Sequence, residues 1–86
     1  MLCVVFKSTR KMDTYLYMPL AGDFEALPDG LQALFAARQE VMRFQIKPDR
    51  QFARFSGAQL IEYLTRDGYV LQLPPAHDEP LRGDVG

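Results

Sequence analysis

The chain has 86 residues, 48% apolar and 12% aromatic, with a formal net charge of −1 and one cysteine. That length suits one domain near the lower end of what folds without staples, and it leaves no room for a deep cleft between domains. The composition excludes a disordered chain, a lone cysteine excludes an intrachain disulfide, and the neutral balance supplies no bulk attraction to nucleic acid.

Leu2 to Phe6 is continuously apolar, the pattern of a strand covered on both faces. The run is too short to cross a bilayer, and Lys7 follows it rather than preceding it, the wrong order for a signal peptide. With no disulfide framework either, a cytoplasmic location is expected. Ser8 to Asp13 is a polar loop, and Thr14 to Met18 alternates, with Tyr15 and Tyr17 on one face and Leu16 and Met18 on the other. The two strands read as an antiparallel hairpin. Asp23 caps a single turn through Phe24 to Leu27, and Pro28 opens a short helix in which Asp29 complements the dipole. Leu27, Leu31, Leu34 and Phe35 form its apolar stripe.

From Glu40 to Lys47 the period changes to two, with Met42, Phe44 and Ile46 facing a core and Val41, Arg43, Gln45 and Lys47 the solvent. Lys47-Pro48-Asp49-Arg50 has turn chemistry, so Gln51 to Phe55 reads as a return strand closing a second hairpin. Ser56 and Gln59 form a capping box with Phe55 and Leu60 at the staple positions, and Gly68 suits a left-handed end. Between them lies a helix with Leu60, Ile61 and Leu64 inward. Tyr69 to Leu73 is a last strand, stopped by Pro74 and Pro75. The division expected is a single domain over 1–75 and a flexible tail over 76–86.

The predicted order is β-β-α-β-β-α-β, an α+β class with one mostly antiparallel sheet of four to five strands and two main helices. A first strand as apolar as this one needs cover on both sides, which puts the helices on opposite faces. Cys3-Val4-Val5-Phe6-Lys7-Ser8, Asp13-Thr14-Tyr15-Leu16-Tyr17, Phe24 followed by Leu27-Pro28, and Gly68-Tyr69-Val70-Leu71-Gln72-Leu73-Pro74-Pro75 together resemble the YcgL domain family of proteobacteria. The resemblance covers residues 2 to 75, is loose over 38 to 58, and departs at Ala76, where a third proline is usual. It implies a small α/β/α sandwich, brings no catalytic residues, and hints at RNA metabolism because some members sit beside a ribonuclease D gene.

No residue pattern points to catalysis. Cys3 is the only thiol and lies inside an apolar strand, where a small buried hydrophobe is the ordinary reading, and His77, the only imidazole, lies in the tail. Together they fall short of a metal set, and neither a phosphate loop nor a nucleophile elbow occurs, so no cofactor is expected. The charges are uneven. Asp13, Asp23, Glu25 and Asp29 cluster without a base, whereas Arg43, Lys47, Arg50 and Arg54 form a basic edge. That edge is the candidate surface for a partner. A non-enzymatic accessory module binding another protein is the leading reading, and an RNA-associated factor holding phosphates through those four residues the alternative. Solvated charges that protect a sheet edge explain the same pattern more simply.

Overall fold

The opening apolar run becomes β1 (Leu2–Ser8), an inner strand of one antiparallel sheet in the order β3-β1-β2-β4. The computed structural model describes residues 1–52 and 55–74. In chain order β1 is followed by β2 (Tyr15–Pro19), a 3-10 turn (Phe24–Ala26), α1 (Asp29–Leu34), β3 (Arg38–Gln45), α2 (Gly57–Asp67) and β4 (Val70–Gln72). Alternation along β1 divides the core in two. Val4 joins Leu16 and Met18 against Leu27, Leu31 and Phe35, and Cys3 and Val5 pack on the other side against Ile46, Leu60 and Leu64. The helices therefore cover opposite faces, as the apolar first strand requires. We refer to these as the α1 face and the α2 face.

Local chemistry produces the elements expected of it. Asp23 accepts from the Glu25 N–H at 3.0 Å and starts the 3-10 turn. The capping box of α2 is complete: Ser56 Oγ accepts from the Gln59 N–H at 3.2 Å and Gln59 Oε1 accepts from the Ser56 N–H at 2.9 Å. Gly68 ends that helix at φ 85°, a left-handed conformation that glycine adopts without a Cβ clash. Among the described residues, no helix is long and apolar enough to cross a membrane.

Two expectations fail in the middle of the chain. Among the described residues of 51 to 55 no strand forms, so no second hairpin is seen there and the sheet of the described residues has four strands. The turn itself is present, with the Arg50 N–H donating to the Lys47 carbonyl at 3.0 Å. Beyond it Gln51 makes only an isolated bridge to Ser56, and the Phe52 N–H donates to the Phe55 carbonyl at 2.8 Å. Gly57 and Ala58 at the start of α2 donate back to Arg50 and Pro48 at 2.7 and 3.1 Å, so the chain closes on its own turn. Phe52 and Phe55 pack against the α2-face core instead of continuing a ladder.

The inward face expected for Met42, Phe44 and Ile46 is also only partly formed. Met42 remains 46% exposed, whereas Phe44 is half-buried and Ile46 buried. β3 is an outer strand, and α2 packs over β2 and β4 toward the other edge of the sheet, so among the described residues no helix covers Met42. The expected tail over 76–86 lies outside the described residues.

Candidate protein-docking groove

The four basic residues singled out from the sequence do not converge. Arg43 stands opposite Val4 on the α1 face and is held in a two-pronged pair by Glu40, at 2.7 and 3.0 Å. That contact holds the Glu40 carboxyl below the usual carboxylate range. Arg50 lies on the other side, its guanidinium 5.1 Å from the Phe52 ring centre and 5.6 Å from that of Phe44, both packed on the α2 face. Lys47 is exposed in the turn between them, and Arg54 lies outside the described residues. Tyr15 and Tyr17 are half-buried against the α2-face core, and the Tyr17 hydroxyl donates to Gln72 Oε1 at 3.1 Å. Burial raises the Tyr17 pKa above its ordinary value.

Cys3 is fully buried, and loss of hydration pushes its thiol up to about 11, against a smaller lowering contribution from the Met18 backbone. A thiol that stays protonated at neutral pH is not a nucleophile. Because the folded value exceeds the ordinary 9.0, this group's contribution to stability is complete below pH 9 and falls as pH rises toward about 11. Denaturation midpoints of the native chain are expected to decline more steeply over that window than those of Cys3→Val. At pH 8, alkylation of Cys3 should be slow until denaturant opens the fold. His77 lies outside the described residues, and among those described no cluster of three His, Cys, Asp or Glu residues suits a metal.

A different feature collects exposed apolar surface. Val5 pairs with Met42 and Phe6 with Glu40, so Val41 is an extra residue in β3, a bulge. The bulge restores phase so that Glu40 and Arg43, three residues apart, share the α1 face. They rim a cavity of about 180 Å³ floored by Val4, Phe6 and Met18 and walled by Leu20 and Phe24. Arg38 stacks its guanidinium 3.8 Å from the centre of the Phe24 ring and 5.1 Å from that of Phe6. Pro19 and Leu20 continue the depression into an open apolar shelf of about 460 Å³ with Met1, Leu2 and Ala21. The wall is shaped by a tight turn in which the Gly22 N–H donates to the Pro19 carbonyl at 2.8 Å. A Cβ at Gly22 would sit 3.0 Å from that same oxygen.

Leu2 is 50% exposed on the shelf and Val41 50% exposed at the bulge. Val41 was legible as surface, on the solvent side of the alternation, but Leu2 was not. Leu2 belongs to an apolar run that reads as buried throughout, and a one-residue bulge leaves the alternation of β3 looking regular.

The YcgL domain model matches residues 3–75 of the chain. A YcgL domain-containing protein of Pseudoalteromonas atlantica is 40% identical over 82 residues, covering 95% of this chain and 86% of that one. A relative from Idiomarina loihiensis is 39% identical over 79 residues, with 92% of each chain covered. One from Pseudomonas putida is 37% identical over 78 residues, covering 91% of this chain and 80% of its own.

Proposed function

The chain belongs to the YcgL domain family, and we propose that it works as a non-enzymatic accessory module that binds a partner protein in the groove on its α1 face. The observation that carries this reading is the continuity of the groove: an apolar floor and shelf run from Phe24 to Met1, with one charged pair, Glu40 and Arg43, along the rim. Exposed apolar surface rimmed by polar groups is the composition of protein-binding sites. The groove runs beside β3, whose outer edge has no partner strand among the described residues, so the occupant proposed is an extended peptide segment of another protein. It would lay alternate apolar side chains into the groove and match Arg43 and Glu40 with a carboxylate and a cation. RNA binding through Arg43, Lys47, Arg50 and Arg54 has less support, because Arg43 and Arg50 lie on opposite faces and each is already engaged.

A displayed library of random extended peptides tests it. Enriched sequences are expected to alternate apolar residues beside a charged one, and to lose at least tenfold in affinity against Leu2→Asp and Arg43→Glu, both exposed enough to fold normally. Selected peptides that bind both variants as well as the native chain would overturn the proposal. A stable homodimer that buries these residues against a second copy would do the same.

A further inference from the structure

The far end of the sheet from the Leu2 shelf carries a second depression, on the opposite face. Gln39, Lys7, Tyr15 and Gln72 are neighbours in register and form one row across all four strands. The Leu60 and Leu64 side chains of α2 cluster with Cys3 and Val5, further down β1. Lys7, Tyr15 and Gln39 from this row, with Thr9, Arg10 and Asp13 from the hairpin loop, line a cup of about 460 Å³, within the range of small-ligand sites.

The loop that forms its wall is tied down from below. Ser8, only 3% exposed, accepts from the Arg10 and Lys11 N–H groups at 3.2 and 3.1 Å and donates to the Leu34 carbonyl at 3.0 Å. Thr9 donates to the Ala37 carbonyl through both its N–H and its hydroxyl, at 2.9 and 3.0 Å. Asp13 completes the loop in the left-handed region, at φ 57°. The cup is thus organised before any ligand arrives, which lowers the ordering cost of binding. The ion pairs among the described residues are Glu40 with Arg43 and Arg66 with Asp67, so Lys7 and Arg10 remain unpaired there.

We propose that this cup is a nucleotide site. Lys7 and Arg10 supply charge and donors for a phosphate. Tyr15 offers a ring for a base to stack on, and the Gln39 amide and Asp13 carboxylate can pair with a base edge or the sugar hydroxyls. A bare anion would use the two cations alone and has no use for a carboxylate or a ring. A nucleotide combines an anionic part with a planar part that carries donors, and the cup has a counterpart for each. The proposal does not depend on the groove reading, since the two surfaces lie on opposite faces and at opposite ends of β1.

The test titrates the isotope-labelled full chain with adenosine 5′-monophosphate, with a 5′-phosphorylated single-stranded hexaribonucleotide, and with inorganic phosphate. Saturable amide shifts centred on 7 to 15 and 39 are expected with at least one nucleotide, weakening as salt rises. Lys7→Glu with Arg10→Glu should weaken binding at least tenfold, Tyr15→Leu should weaken nucleotides but not phosphate, and Leu2→Asp should change nothing. Binding of the monophosphate assigns a free nucleotide, and binding of the hexanucleotide alone assigns a strand end. No saturable shifts with either nucleotide would overturn the proposal. So would nucleotides binding no better than phosphate, or shifts that survive the two charge reversals, which keep the test decisive should Tyr15→Leu fail to fold.

Discussion

Gly57→Ala is expected to destabilise the domain by at least about 3 kcal/mol, beyond the usual range for one added methyl group. Gly57 is buried in the first turn of α2, and a Cβ there would come within 1.9 Å of the Lys47 carbonyl oxygen and 2.8 Å of its carbon. Both atoms are backbone, so no rotamer change relieves the contact. Retreat would break the bond from the Gly57 N–H to the Arg50 carbonyl and the Ala58 bond to Pro48, which together dock α2 on the 47–50 turn. Helix propensity alone gives the opposite sign, since alanine is the better helix former. Gly30 supplies the control: it lies in α1 with nothing within 4 Å of a built Cβ, so Gly30→Ala should stabilise by ~0.5–1 kcal/mol. Urea denaturation of both variants checks the pair. A Gly57→Ala midpoint equal to that of the native chain would show that α2 does not start against Lys47.

Phe35→Ala should cost about 3–5 kcal/mol, the range for removing a buried aromatic ring. Phe35 has no exposed surface and is the largest fully buried side chain on the α1 face, where it packs with Val4, Leu16, Met18, Leu27 and Leu31. It also closes α1, its N–H donating to the Leu31 carbonyl at 3.0 Å. A helix of 6 residues has little stability of its own, so this packing holds it in place. In a domain whose whole stability is of order 5–10 kcal/mol, the loss would leave much of the population unfolded at 37 °C. Thermal unfolding followed by circular dichroism measures it. The neighbouring Leu34→Ala should cost clearly less, because Leu34 is only partly buried against the same cluster. Equal losses at the two positions would mean that α1 is docked by a different face.

The parts of the fold that were legible come from relations between near neighbours. The capping box of Ser56 and Gln59, the left-handed Gly68, the Asp23 cap and the alternation of β2 each depend on residues within a few positions of one another. So does the two-sided burial of β1, because period-two geometry sends Val4 and Val5 to opposite faces whatever covers them. The same reasoning kept Cys3 in the core, where the structure has it. The candidate site was legible only in part. Arg43 does line the groove, but instead of joining Lys47 and Arg50 in one basic edge it is paired with Glu40 on its own strand.

What the tertiary structure alone decided has a common cause. Strand order makes β3 an edge and leaves Met42 in solvent, although the alternation puts it on the core side with Phe44 and Ile46. Among the described residues of 51 to 55 no return strand forms, because closing α2 on the 47–50 turn competes with it and wins, and that competition joins groups no local pattern relates. Composition and periodicity give one compact α+β domain with helices on both faces, since burial of a given stripe is favourable against any apolar neighbour. Which stripe finds a neighbour, and which stays open as a groove or a cup, depends on where the other elements are placed across the sheet.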